Sequence, residues 1–490
     1  MIRGKGTFGI AYKNWGTNMS RVTRTGFFKT VALVAGLGLT GFAPARGQAE
    51  NLADALVGAY NTSGLLEQNR ALLRATDENV ALALSALRPI LAWTASATRT
   101  FNKAQTGRFS TSTQASTYGL GLTAQVLLYD GGAAAVGILG AKESVLAARQ
   151  GLLSVEQAIL FRAISAYLNV NAQTQNVSLR ENNLRVLGEE LKASNDRFEV
   201  GEVTRTDVAL AESSVAQARS ELAVARGSLV NSKAEYAAAV GHTPDRLAAE
   251  PPLPPRPASI EAAQTLAVQN HPDILSAQHQ VVVAEMTITQ LKRSQRPTVS
   301  LNANVGVTEN FGLPDYRDNA SVGLSLSQTI YQGGAQSARI RAAIAQRDAT
   351  RGNLLVVQRN VIQDATTAFV RLEVSLASLI ATNERIRASE VAFRGVREEA
   401  TLGARTTLDV LTAEQDLLNA HTAKISAEVE RSTAAYQLLQ AQGLLTAERL
   451  RLAVQIYDPT IYYNLAKNAP VPISKQGKDL ERVLKSLGKK

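Results

Sequence analysis

Two halves of this chain repeat each other at an offset of 202 residues, and this duplication restricts the possible folds more than any other feature of the sequence. Residues 128–132 read LYDGG and residues 330–334 read IYQGG. Farther along, GEVTRTDVALAE begins at Gly201 and GARTTLDVLTAE begins at Gly403. Self-similarity at one fixed offset indicates that a single supersecondary unit has been built twice. We therefore expect two structural repeats, at 50–240 and 259–455, joined by a proline-rich linker at 241–258.

Each repeat is predicted to begin with a helix and to continue with two strands. The opening helices are expected at about 52–86 and 259–293, where Arg-Pro pairs end them because proline cannot continue a helix. The segment VSLNANVGV at 299–307 alternates apolar residues with small or polar ones, which is the pattern of a strand with two different faces. The other three strands alternate less strictly and are expected at 90–98, 118–129 and 321–331.

The predicted strands have the length that a tilted membrane-spanning strand needs, about 9–11 residues. A soluble hairpin with one buried face would show the same alternation, so the strands alone leave both alternatives open. Four strands cannot close a barrel, because the smallest single-chain barrels of bacterial outer membranes have about eight. If the strands span a membrane, several chains must contribute to one barrel. Their faces rich in Gly, Ser, Thr and Asn suit a wide, watery lumen.

Residues 1–49 have the features of a secretory signal peptide, with Met19 as the expected start. A basic segment precedes an apolar run that is shorter than the roughly 20 residues of a membrane-spanning helix, and we expect no such helix after it. A buried N-terminal helix is the alternative. Seven of the 52 basic residues and none of the 42 acidic ones lie in 1–49, so without it the formal charge falls from +10 to +3. The main argument for nucleic-acid binding is then lost.

Long helices are expected to follow each strand pair. Apolar residues recur every seven positions from about 133 to 195 and from 335 to 397, and a helix of ~65 residues reaches roughly 100 Å. Both helices are predicted to turn at a glycine and to return as far as about Val240 and Leu445, with Thr or Asp capping the returning helix. Paired glycines are expected to bend each second strand into its long helix without a Cβ clash, namely Gly131, Gly132, Gly333 and Gly334.

In combination and order, these motifs resemble the TolC family of outer-membrane channel proteins over roughly residues 50–455. The resemblance implies an α+β membrane protein that forms a trimer. Twelve strands, four from each chain, would form one outer-membrane β-barrel. A long periplasmic α-helical coiled-coil barrel would continue it and close at the hairpin tips.

The resemblance also implies roles for residues at those tips. Gly201 and Gly403 match the positions that dock a periplasmic adaptor, and Asp409 matches a carboxylate that lines the closed entrance. Arg405 matches an arginine that ties the inner coiled coil to Thr206 and Asp207 in the outer one. The sequence departs from the family pattern at a second entrance carboxylate and at an aromatic contact, where it has Thr412 and Ala400. The alternative is that both aspartates are helix caps only and that Arg405 is a solvated surface charge.

The predicted function is that of a passive exit duct for a tripartite efflux or type I secretion system, without catalysis, cofactor or metal. Its partners would be a periplasmic adaptor, an inner-membrane efflux pump or ABC exporter, and outer-membrane lipid, but no nucleic acid. The alternative is a periplasmic coiled-coil adaptor or scaffold that never enters the membrane. The chain contains no cysteine to carry a lipid, which favours the secretion-type or multipurpose branch over the lipid-anchored efflux branch. The basic tail at 456–490 is expected to be a solvated or partly disordered appendage, and contact with an acidic surface is the alternative.

Overall fold

The computed structural model describes residues 49–248, 252–311, 314, 316–469 and 471–486. Residues 1–48 of the predicted signal peptide lie outside the described residues. Each half contains two short helices, an antiparallel strand pair and a long helical hairpin. In the first half these elements are α1 (Leu52–Thr62), α2 (Gly64–Ser85), β1 (Ile90–Thr106), β2 (Phe109–Tyr129), α3 (Ala133–Glu199) and α4 (Arg205–Val240). In the second half they are α5 (Ile260–Asn270), α6 (Pro272–Arg293), β3 (Thr298–Asn310), β4 (Tyr316–Ser327), α7 (Ala335–Thr401) and α8 (Thr407–Ala441), before α9 (Pro459–Ala466) and α10 (Lys475–Ser486).

The opening helix of each half is broken, whereas the sequence predicted one continuous helix. Ser63 has extended backbone angles and its hydroxyl accepts a hydrogen bond from the backbone N–H of Leu66. His271 occupies the same place in the second half, also with extended angles, directly before Pro272. A residue before proline is disfavoured in the helical region, so the break at His271 follows from local sterics.

The four strands form one antiparallel sheet in the order β1-β2-β3-β4. The two halves join at its centre, where Leu120 lies opposite Val307 and Gly121 opposite Gly306. The first strand pair extends beyond the predicted range to a turn at Gly107, which has a φ of 65°. Strand β4 ends at Ser327, short of the predicted residue 331, because β3 begins at Thr298 and offers no partner beyond it.

The helices α3 and α7 have 67 residues each, so each is about 100 Å long. Both contain an 18-residue stretch that is apolar enough to cross a membrane by length and composition alone. The expectation that no such stretch follows residue 49 was therefore wrong. Half of the stretch in α3 is buried by packing against its neighbours, whereas less of the stretch in α7 is covered. The columns of apolar residues that pair helices in a coiled coil account for this composition.

Two tyrosines fix the start of the described chain to the first hairpin. The fully buried Tyr167 of α3 donates through its hydroxyl to the carbonyl oxygens of Glu50, at 3.2 Å, and Ala248, at 3.0 Å. The hydroxyl of Tyr236 in α4 donates to the carboxylate of Glu50 at 2.5 Å. Because buried polar groups need partners, these bonds hold residue 50 and the first part of the predicted linker against the helices.

The C-terminal segment is docked on the first repeat up to at least Lys467, which corrects the expectation of a solvated appendage. The hydroxyl of Tyr462 in α9 donates to the Glu78 carboxylate at 2.6 Å. The guanidinium of Arg88 donates through Nη2 to the carbonyl oxygen of Lys467 at 3.1 Å. The apolar side of α9 explains the docking, because Tyr462 and Ala466 are both buried.

Candidate functional site at the hairpin tips

Both helical hairpins turn through the same backbone motif. Gly201 has a φ of 83° and Gly403 a φ of 77°, the left-handed conformation that favours glycine after a helix. The N–H of Glu202 donates to the carbonyl of Arg197 at 2.9 Å, and the N–H of Ala404 donates to that of Glu399 at 2.9 Å. No atom lies within 4 Å of the place where a Cβ would stand on either glycine. The glycines are therefore required by the turn and leave both tips open to a partner.

The aspartates after each turn cap the returning helices. The Asp207 carboxylate accepts from the backbone N–H of Thr204 at 2.9 Å and from its hydroxyl at 2.6 Å. The Asp409 carboxylate accepts from the N–H and the hydroxyl of Thr406, both at 2.9 Å. The Thr204 hydroxyl and N–H lower the pKa of Asp207, and the Thr406 N–H and hydroxyl lower that of Asp409. Both carboxylates thus stay charged at neutral pH while they satisfy the first turns of α4 and α8.

Arg405 pairs within its own hairpin. Its Nε donates to Glu399 Oε2 at 2.8 Å, and this hydrogen bond raises the pKa of the guanidinium. Both partners are about half exposed, so the ion pair contributes little to stability. No hydrogen bond or ion pair joins Arg405 to Thr206 or Asp207 among the described residues of one chain, and the pairing that the resemblance implied stays a prediction.

Arg405 nevertheless faces the first hairpin across a cleft of about 500 Å³, here named the tip cleft. Gly201, Thr206 and Asp409 lie at the same end of the helices but outside this lining. The two departures from the family pattern are uncharged residues. Ala400 is buried, and the Thr412 hydroxyl donates to the Leu408 carbonyl. The tip cleft is lined by Arg197, Glu202, Val203, Thr204, Asp207, Ala400, Thr401, Leu402, Gly403, Arg405, Thr406 and Thr407.

The remaining predicted positions lie at the opposite ends of the long helices. Gly131 and Gly132 have φ values of 70° and 80°, and Gly333 and Gly334 have values of 56° and 81°. Each pair lies between a second strand and its long helix, and the second glycine of each is the N-cap of that helix. A side chain there would strain the backbone, because L residues rarely adopt this conformation.

A buried polar contact above the tips was not predicted from the sequence. The Asn183 amide of α3 donates to Glu414 Oε1 of α8 at 3.1 Å, which links the two hairpins. Burial raises the pKa of Glu414, against the lowering effect of Asn183. A small apolar cluster lies nearby and contains Leu187, Val215, Ala218 and Leu411. The repeat aligns Glu414 with Glu212, but it could not show that only Glu414 is buried.

Replacing Asn183 with alanine should lower the free energy of unfolding by about 1–3 kcal/mol at neutral pH, because the buried carboxylate loses its donor. The defect should shrink as pH falls through the pKa of Glu414, since the protonated carboxyl no longer needs a donor to offset its charge. Urea unfolding in detergent at several pH values measures both effects. The matched control is Asn182→Ala, which changes an exposed neighbour. Equal losses of unfolding free energy in the two variants would contradict a stabilising role for the Asn183–Glu414 hydrogen bond.

Comparison with known proteins agrees with this architecture. The sequence profile described as outer membrane efflux protein matches residues 59–242 and 264–444, one match in each half. The outer membrane efflux protein BepC of Brucella suis biovar 1 is 35% identical over 438 residues, which cover 89% of this chain and 94% of BepC. The outer membrane protein TolC of Escherichia coli K12 is 24% identical over 278 residues, 54% of this chain and 56% of TolC.

Solved structures share the fold. The CmeC outer membrane channel of Campylobacter jejuni superposes with a TM-score of 0.72 over 85% of this chain and 89% of CmeC, at 15% identity. The resemblance to the TolC family and the expected outer-membrane location are confirmed by the profile match and by BepC. This chain, with its duplicated strand pair and helical hairpin, belongs to the family of outer membrane efflux proteins.

Proposed function

We propose that three copies of this chain close one twelve-stranded barrel and form a passive exit duct, which docks a periplasmic adaptor and an inner-membrane transporter. The observation that carries this proposal is the division of the sheet into two faces. Leu91, Trp93 and Leu122 lie on one face, and Trp93 is paired with Leu122 across β1 and β2. Leu324 and Leu326 continue that face on β4, and all five side chains are exposed in a single chain.

The opposite face of the sheet is small and polar. Thr94, Gly121, Gly306 and Asn319 form one row across all four strands. An exposed apolar face and a polar face suit a sheet with lipid on one side and water on the other. Outer-membrane lipid would therefore cover the apolar face, and the polar face would line the lumen.

The sheet has two unpaired edges, β1 and β4, among the described strands. In lipid every backbone N–H and C=O needs an internal partner, so β4 of one copy must pair with β1 of the next. Three copies of a four-stranded sheet give a barrel of twelve strands. The alternative of a periplasmic scaffold leaves an exposed apolar face of this size unexplained, since soluble proteins rarely tolerate one.

The tips would form the periplasmic gate and the docking surface. In a threefold arrangement the Asp409 carboxylates of the three chains would attract cations at the entrance and repel one another. Arg405, across the tip cleft from Asp207, would hold the two hairpins together until a partner opens them, with Thr206 on the facing turn. Gly201 and Gly403 leave space for an adaptor, and the inner-membrane efflux pump or ABC exporter would supply the energy.

Single-channel conductance in a planar bilayer tests this proposal. We expect small, cation-selective steps for the wild type and larger steps for Arg405→Ser, because the variant lacks the cation that faces Asp207 across the tip cleft. The control Arg387→Ser removes an exposed arginine that is paired with Glu384 on α7. Equal conductance steps in all three proteins would support the pore and contradict the role of Arg405 in a gate. An absence of discrete conductance from folded trimers would overturn the channel itself.

A further inference from the structure

The two strand-to-helix turns have the same backbone but different surroundings. A Cβ on Gly131 would stand 2.6 Å from the Cβ of Arg296 and 2.8 Å from the carbonyl oxygen of Arg293. A Cβ on Gly333 or Gly334 would meet no atom within 4 Å. The first turn is therefore enclosed by protein, whereas the second is open in a single chain.

Two arginines from the second half enclose the first turn. Arg293 Nη1 donates to the carbonyl oxygen of Gly132 at 3.2 Å, and Arg296 Nη1 donates to that of Gly131 at 3.3 Å. Arg293 is the last residue of α6, which packs along α3, and Arg296 follows three residues later. Each bond is charge-assisted and ties the start of a long helix to the neighbouring repeat.

The first half has a counterpart of Arg296. The helix α2 aligns with α6 at an offset of 208 residues, since Ser63 and His271 both act as N-caps. The same offset places Arg88-Pro89 on Arg296-Pro297, whereas Arg293 meets Ser85. Arg88 donates to Lys467 with one nitrogen, and its guanidinium has five N–H groups, so others are available for a second acceptor.

The exposed surface of α2 indicates that another helix packs against it in the assembled protein. Leu82 is the counterpart of Gln290, whose side chain lies beside Gly137 of α3, 2.9 Å from the site of a Cβ there. Leu82 is 67% exposed in a single chain. The helix α7, which would take the place of α3, likewise leaves much of its apolar stretch uncovered.

We propose that Arg88 of the adjacent subunit donates to the carbonyl oxygen of Gly333 and closes the second turn, as Arg296 closes the first within one chain. The occupant of the open turn is thus a second copy of this chain, placed so that α2 of one subunit lies along α7 of the next. This inference rests on the proposed trimer. One arginine would bond to the second turn, where two bond to the first, because Ser85 stands at the counterpart of Arg293.

Disulfide cross-linking tests the placement, and the absence of native cysteine gives a clean background. Within one chain, the site of a Cβ on Gly140 lies 3.6 Å from the Cβ of Met286, a separation that a disulfide spans. The counterparts of these positions are Ala342 and Glu78. Mild oxidation of the Glu78→Cys, Ala342→Cys double variant should convert most of the protein to covalent trimers on a non-reducing gel. Disulfides formed within one chain would run as monomers.

A second pair reports on Arg88 directly. Arg88→Cys with Gln332→Cys, beside the open turn, should cross-link between subunits, whereas Arg88→Cys with Thr401→Cys, at the far end of α7, should not. With Gly333 unchanged, the Arg88→Ala variant should lower the temperature at which trimers dissociate, and Arg88→Lys should lower it less. Trimers that conduct but form neither cross-link would overturn this inference and leave the proposed function intact. Monomers without conductance would overturn the proposed function as well.

Discussion

Replacing Leu402 with aspartate should remove most pump-dependent export while leaving folding and trimer formation unchanged. Leu402 is 85% exposed beside the tip glycine Gly403, and Val200 is 72% exposed beside Gly201. Large apolar side chains exposed at the end of an otherwise polar turn mark a surface that another protein covers. Loss of one buried leucine side chain costs about 1.5–3 kcal/mol, which is about 10- to 160-fold in affinity.

The measurement is dye accumulation in cells that lack their own channel and in which the wild-type chain lowers accumulation. Val224→Asp is the matched control, because Val224 is exposed in the middle of α4, far from either tip. Leu402→Asp should behave as an empty vector and Val224→Asp as the wild type. Unchanged export by Leu402→Asp would show that the adaptor does not use this tip. Lost conductance would instead assign Leu402 to the pore itself.

Replacing Gly131 with alanine should destabilise the folded protein by about 2–6 kcal/mol. A left-handed backbone costs about 1–3 kcal/mol for a residue with a side chain. Overpacking against Arg296 and the Arg293 carbonyl costs about 1–3 kcal/mol more, because the new methyl group meets backbone and a Cβ that cannot rotate away.

The matched control for Gly131 is Gly151→Ala in α3, where a Cβ meets no atom within 4 Å. Alanine in a helix interior stabilises by about 1 kcal/mol relative to glycine, so the two substitutions should shift stability in opposite directions. Urea unfolding in detergent, together with the yield of folded protein in the outer membrane, measures the difference. Equal stability of the two variants would contradict the enclosed turn.

Repetition and local sterics made much of this fold predictable. The glycine turns, the capping threonines and the long helices follow from patterns within a few residues of each other, and each pattern occurs twice. The break at His271 was within reach as well, because Pro272 follows it. The break at Ser63 lacks such a signal and needed the comparison of the two halves.

The contacts that were missed are those that depend on distant partners. Asn183 and Glu414 are 231 positions apart, and neither stands out from its polar neighbours in the sequence. The end of β4 is set by the length of β3, and the docking of α9 is set by Glu78 and Arg88 on the first repeat. The pairing of Arg405 with Glu399, six residues away, was not predicted either.

The open edges of the sheet determine how this protein can be made. A lone chain carries two rows of unpaired backbone groups beside an exposed apolar surface. Exposed strand edges of this kind pair with other chains and aggregate. A cell therefore cannot keep a reserve of finished single subunits in water. In the proposed trimer, insertion into the membrane and association of subunits must proceed together, because each edge strand finds its partner only in another copy. Excess chains will be bound by chaperones or degraded.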